Sequence, residues 1–150
     1  MQLAIKLAVE NAEHGKGGPF AALVIKNDEL LSTGVNLVTS SNDPTAHAEI
    51  VAIRAACQKL GSFQLANCEI YTTCEPCPMC LGAIYWARPR QFYYAATRDA
   101  ASAAGFDDKF IYDELILPPN QRAISGHCLL ADLGRTPFEA WARLAGRVSY

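Results

Sequence analysis

Residues Glu69–Arg88 read EIYTTCEPCPMCLGAIYWAR. Glu69–Thr73 alternates apolar and polar side chains with a period of two, which predicts a strand. That strand delivers the chain to three cysteines within seven residues, Cys74, Cys77 and Cys80. Pro78 suits the first position of a helix, where its missing N–H costs nothing, and Arg88-Pro89 ends that helix. Cys77 and Cys80, three apart where the helix begins, are predicted to face one point. The free N–H groups and positive end of the helix stabilise thiolates there.

Upstream, Thr45–Leu60 carries Ile50, Ile53 and Cys57 at helical spacing and stops at Gly61. Its mouth holds His47 and Glu49. Phe20–Lys26 and Leu30–Val38 are β-rich runs joined by Asn27-Asp28-Glu29, a hairpin. Gln2–Glu13 turns Leu3, Leu7 and Ala8 one way and Glu10 and Glu13 the other, an amphipathic helix ended by Gly15–Gly18. Downstream, Gln91–Ala95 is a further strand, Ala100–Ala104 a helix and Gly105–Asp108 a loop ahead of Phe110–Leu115. Thr136-Pro137-Phe138-Glu139 has the pattern of a capping box, and it opens a final helix, Pro137–Gly146. No repeat or linker divides the chain, so 1–150 is expected to be one α/β domain with helices on both sides of a sheet.

Composition restricts what such a domain does. Half the chain is hydrophobic (51%) and 19% is charged, with 13 Lys+Arg against 15 Asp+Glu. A net charge of −2 lacks the electrostatic footprint of a nonspecific nucleic-acid binder, and no apolar run approaches the roughly 20 residues that span a bilayer. Met1–Lys6 has neither a basic n-region nor a cleavage site, so an intracellular, cytoplasmic protein is expected. There the cysteine cluster reads as metal ligands rather than disulfides. Cys57, Cys68 and Cys128, scattered among apolar neighbours, read as free thiols.

His47-Ala48-Glu49 and Pro76-Cys77-Pro78-Met79-Cys80 together define the chemistry. Zinc takes imidazole and thiolate, and a catalytic zinc keeps three protein ligands so that a water can be activated at the fourth position. His47, Cys77 and Cys80 supply the three; Glu49, two residues past the histidine, can carry that water's proton. Cys74 leaves a rival open: a closed Cys₃His structural site with no reactive position.

The H-x-E…P-C-x-x-C composite is identified as that of the zinc deaminases. Beyond it, Gly17–Phe20 (GGPF), Thr39–Glu49 (TSSNDPTAHAE), Cys74–Arg88 and Ala104–Tyr112 (AGFDDKFIY) resemble the bacterial-type guanine deaminases of the cytidine-deaminase-like superfamily. The resemblance implies a three-layer α/β/α sandwich with a central five-stranded mixed sheet. It implies hydrolysis of guanine to xanthine and ammonia, with one zinc ion per subunit on His47, Cys77 and Cys80. Glu49 would shuttle the proton and Asp108 would protonate the leaving amine, Asp107 being the adjacent competitor. Asn36 would bond the purine edge, while Phe20 and Trp86 would wall the pocket. Tyr150 would close the site of a partner subunit, in a homodimer whose C-terminal segments are exchanged.

The expected partners are therefore a small purine base and a second copy of the chain, not nucleic acid or membrane. A nucleoside or tRNA base (guanosine, adenosine or cytosine) is the alternative substrate, triazines such as ammeline are side substrates, and a non-catalytic zinc-stapled module is the alternative from another class. Gln121–Leu133, His14 and His127 have no assigned role.

Overall fold

The structure, a computed structural model, describes residues 1–149. They fall into two compact units, Met1–Asp108 and a second beginning at Lys109.

In the first unit, helix α1 (Gln2–Glu13) precedes strands β1 (Ala21–Lys26) and β2 (Glu29–Val35). The short helix α2 (Val38–Ser41) and α3 (Ala48–Leu60) follow, then β3 (Cys68–Cys74), α4 (Pro78–Ala87), β4 (Gln91–Ala96) and α5 (Arg98–Ala103). The hairpin turns on two residues rather than three: Asn27 and Asp28 both have positive φ, and Glu29 already pairs with Lys26. Asparagine and aspartate tolerate that left-handed geometry, which matches the twist of the flanking strands.

The sheet is mixed, in the order β2-β1-β3-β4, with β1 antiparallel to both neighbours and β3 parallel to β4. It has four strands among the described residues, not the expected five. After β4 the chain enters α5 at once, and Phe110–Leu115 belongs to a helix. Pro118 and Pro119 then remove two N–H donors that a ladder would need.

One face of the sheet offers Ala22, Val24, Cys68 and Ile70 to Ala48, Ala52 and Ala56 of α3 and to Ile84 and Ala87 of α4, all buried. Alanine at every fourth position gives α3 a smooth stripe, so it lies close to the strands. Gly34 of β2 completes that approach: a Cβ there would stand 2.2 Å from the Ala48 carbonyl oxygen and 2.5 Å from the Ala52 nitrogen. Ser32 Oγ donates to the Ala52 carbonyl at 2.8 Å. Because α3 begins at the residues of the site, Gly34→Ala is expected to push it off the sheet. A cost of about 3 kcal/mol is predicted, a fall in Tm of about 6–12 °C by thermal unfolding. The opposite face is covered in part by α1, whose Ala4 and Ala8 are buried and whose Ile5, Ala8 and Val9 line a groove with Thr73 and Ala95.

The second unit holds α6 (Lys109–Leu115), single 3₁₀ turns at Pro119–Gln121 and Leu133–Arg135, and α7 (Thr136–Arg143). An i,i+4 ion pair, Lys109–Asp113, lies on α6. None of its described residues is buried. The capping box expected at Thr136 does not form. The preceding 3₁₀ turn runs directly into α7, so Thr136 is already helical and its hydroxyl donates to the Leu133 carbonyl at 2.8 Å.

Candidate active site and metal centre

The carboxyl ends of the parallel pair β3 and β4 lie together, with Cys74 opposite Ala96. β1 begins and β2 ends at the same side, with Ala21 opposite Val35. This is where open α/β sheets bind ligands, because the flanking helices start there. Phe20, Asn36, His47 and Cys77 are the residues that enter or leave those elements.

His47 is the N-cap of α3 and Cys77 the N-cap of α4, both in extended backbone geometry. The chain turns sharply at an N-cap, which aims both side chains back over the helix ends. Cys80, one turn into α4, is fully buried. His47 Nδ1 lies 3.6 Å from Cys77 Sγ and 3.5 Å from Cys80 Sγ. All three ligand atoms lie within 4.8 Å of one another. A tetrahedral zinc with bonds of about 2.3 Å to sulfur and about 2.05 Å to nitrogen requires a nitrogen–sulfur separation of about 3.6 Å. The residues present fit that ion.

Electrostatics prepare the sulfurs. Hydrogen bonds from Cys80 and then His47, against the opposing effect of burial, lower the Cys77 thiol to about 4, so it is a thiolate at neutral pH. Its bond to Cys77 and its burial push Cys80 the other way. The bond to Cys77 raises His47. One shared negative charge beside an imidazole is the state of such a pair before a cation neutralises it.

Glu49 sits on the second residue of α3, only 6% exposed. Thr72 Oγ1 donates to its Oε1 at 3.1 Å and the Cys80 thiol donates to Oε2 at 3.4 Å. Burial raises its carboxyl above the ordinary range, and bonds to its own backbone N–H, Cys80 and Thr72 pull it part of the way back. It is a carboxyl beside the ligands and outside the ligand group. Cys74 is outside that group too: its Sγ donates to the Thr97 carbonyl at 3.7 Å, on the β4 side.

Asn36 is 8% exposed. Its Oδ1 accepts the backbone N–H groups of Gly18 (3.2 Å) and Val38 (3.3 Å), which uses the oxygen on the protein and aligns the amide. Gly17 packs so tightly here that a Cβ would stand 2.2 Å from the Asn36 carbonyl oxygen. Phe20 meets Phe106 edge-on at 4.9 Å, bringing the Gly105–Asp108 loop to the Gly17–Phe20 turn. Of the two loop aspartates, Asp108 is the partly buried one. Burial and then the negative Cys77 raise its carboxyl, and Arg98 opposes them. Trp86 is 63% exposed, turned away from the face of α4 that buries Cys80, Ile84 and Ala87. Tyr150 lies outside the described residues.

Four participants escaped the sequence reading. Asn11, buried in α1, donates through Nδ2 to the carbonyls of Gly18 and Asn36, both at 2.9 Å. Thr72 holds Glu49, Phe106 packs on Phe20, and Glu75 accepts a hydrogen bond from the start of α5. Only the alternation of β3, which turns Thr72 toward the same face as Ile70, carried a sequence signal for any of these.

Residues 1–96 match the cytidine and deoxycytidylate deaminase zinc-binding region. The chain belongs to this zinc-binding deaminase family. Within the family it is a homologue of guanine deaminase: it is 49% identical to that of Bacillus subtilis over 150 residues, all of this chain and 96% of that protein. The solved B. subtilis enzyme superposes with a TM-score of 0.97 at 50% identity, covering 99% of this chain and 95% of that one. A tRNA-specific adenosine deaminase from Buchnera aphidicola is 38% identical over 97 residues, 65% of this chain and 64% of that protein. A solved protein in complex with 2,6-diaminopurine has a TM-score of 0.68 at 38% identity, covering 71% of this chain and 60% of that one. Among the described residues no helix is long and apolar enough to cross a membrane.

Proposed function

We propose that this protein catalyses the hydrolytic deamination of guanine to xanthine and ammonia, using one zinc ion per subunit held by His47, Cys77 and Cys80. The extent of the likeness carries guanine over other bases. Similarity to the Buchnera adenosine deaminase covers 65% of the chain, whereas similarity to the Bacillus guanine deaminase covers all of it.

Bound at the three ligands, zinc supplies Lewis-acid activation of a water nucleophile near neutral pH. The chain supplies the rest. Glu49, unable to disperse its charge into solvent, takes the proton of the attacking water and returns it to N3 of the purine as the C–O bond forms at C2. Asp108, raised chiefly by burial, holds a proton to higher pH than an ordinary carboxyl. It gives that proton to the C2 amine as the C–N bond breaks and ammonia leaves, and takes up the C2 hydroxyl proton as the carbonyl of xanthine forms. Asn36, its oxygen occupied by Gly18 and Val38, presents its N–H groups to the base edge. Phe20 flanks the ring.

The active form in this reading is a cytoplasmic homodimer in which Pro137–Tyr150 crosses to the partner and Tyr150 covers its site. Exposed Phe138, Trp141 and Leu144 on and just after α7, in a unit with no buried described residue, support an exchange that would cover them. Deleting residues 147–150 is expected to lower guanine kcat/KM by about 10²-fold while the mass in solution stays that of a dimer.

The deciding experiment is ammonia release by zinc-loaded protein from guanine, guanosine, cytosine, adenine and ammeline. Guanine is expected to exceed each of the others by roughly 10²-fold or more in kcat/KM. No turnover of guanine with zinc at one per chain would overturn the assignment, and adenine or cytosine as the best substrate would move the chain to a sister activity.

A further inference from the structure

Between the end of β3 and the first sulfur ligand stands Glu75, and the metal chemistry gives it no part. The proline after it disfavours helical geometry at Glu75, which keeps the chain extended there. Its backbone N–H donates to the Ala96 carbonyl at 2.8 Å. Its Oε2 accepts the backbone N–H of Arg98 at 3.2 Å, and the neighbouring Cys74 thiol donates to the Thr97 carbonyl at 3.7 Å. Two consecutive residues thus grip three, Ala96, Thr97 and Arg98.

Those three residues are the end of β4, the N-cap and the first residue of α5. Its N-cap, Thr97, makes no side-chain capping bond, so the carboxylate of Glu75 does that work from the neighbouring strand. Six residues later the helix ends, and Gly105 at φ +90° turns the chain into the loop. The Phe106 N–H returns to the Ala101 carbonyl at 3.0 Å, and its ring packs on Phe20. Asp108 follows at the partly buried end of the same loop. One short rigid piece therefore starts on Glu75 and ends at the pocket.

We propose that Glu75 is a positioning residue: by holding the first N–H of α5 it sets Phe106 and Asp108 relative to the Cys77–Cys80 turn, so that the acid and the metal centre keep one geometry. The inference rests on the reading of Asp108 as the acid that protonates the leaving amine.

The test uses full-length, zinc-loaded protein and the variants Glu75→Ala, Glu75→Gln, Asp108→Asn and Glu75→Ala/Asp108→Asn. Glu75→Ala is expected to lower kcat on guanine by about 10–50-fold, with KM within about threefold and zinc at its normal content. Glu75→Gln keeps an acceptor oxygen and is expected to stay within about threefold of the parent. Because Glu75 acts through Asp108, the double variant should be no more than about twofold slower than Asp108→Asn alone. Amide hydrogen exchange across Arg98–Asp108 should quicken by about tenfold or more in Glu75→Ala, with α3 unaltered. Additive losses in the double variant, zinc loss from Glu75→Ala, or unaltered exchange would each overturn the proposal. A parent protein inactive on guanine would overturn the substrate reading instead, and hydrogen exchange alone would then decide whether Glu75 holds the loop.

Discussion

Glu49→Gln is expected to lower kcat on guanine by about 10³–10⁴-fold while zinc stays at one per chain and KM changes little. The amide keeps the shape of the side chain and an oxygen for the Thr72 hydroxyl, so the loss isolates proton transfer from packing. Zinc content measured with the kinetics separates the two roles open to this residue: a ligand would take the metal with it, a proton carrier would not. The same variant carries a stability signature in metal-free protein. Burial raises the Glu49 carboxyl in the folded chain, so its favourable contribution is complete below the unfolded value and is lost as pH rises through the folded one. Above that folded value the parent bears a buried negative charge that the amide lacks. Tm of metal-free Glu49→Gln should exceed the parent's by about 2–4 °C for each kcal/mol recovered, and the gap should close in acid. An unaltered kcat, or a gap that widens in acid, would contradict this account.

The second large effect contrasts three neighbouring sulfurs. Zinc sites release about 10–16 kcal/mol on binding, so one of the ligands is worth about 3–4 kcal/mol, roughly 10²–10³ in affinity. Cys77→Ala and Cys80→Ala should each lose zinc by that factor in competition with a chelator, and lose guanine turnover in step. Cys74→Ala should keep one zinc per chain and cost about 1–3 kcal/mol of stability. Its thiol is turned to the Thr97 carbonyl and lies outside the His47–Cys77–Cys80 group. Equal zinc loss from all three variants would mean four protein ligands, and the deaminase chemistry would have no position left for its nucleophile.

Much of the site is legible along the chain because its residues sit at signals that local physics enforces. His47 and Cys77 precede helices, and Pro78 and Gly61 mark where one begins and the other stops. Glu49 lies two residues past His47, which places it in the first turn of α3. The strands of the hairpin were readable as β-rich runs about a turn, β3 was readable from alternation, and β4 was expected as a further strand. Element ends shifted by one to three residues: Asn27 and Asp28 close the turn alone, β2 stops at Val35, and Ala48, not Thr45, begins α3. The fifth strand failed for a different reason. It came with the resemblance and not from any alternating run, and Phe110–Leu115 is helical. The capping box at Thr136 failed because a 3₁₀ turn before it had already set the residue helical.

The sequence by itself determined the family and picked out His47, Cys77 and Cys80 as the candidate metal group, since helix caps, prolines and thiol spacing are set within a few residues. Folding decided what depends on pieces far apart in the chain. Asn11 reaches 25 positions to hold Asn36, and Thr72 reaches 23 to hold Glu49. Cys74 was a possible fourth ligand in the sequence; pairing with β4 brings the Thr97 carbonyl, 23 positions on, to its sulfur. Asp107 and Asp108 are alike in the sequence, and it is the fold that partly buries Asp108 and leaves Asp107 exposed. A thiol or a carboxyl takes its role from its neighbours in space, and those are chosen by sheet register and helix packing, which no local run of residues encodes.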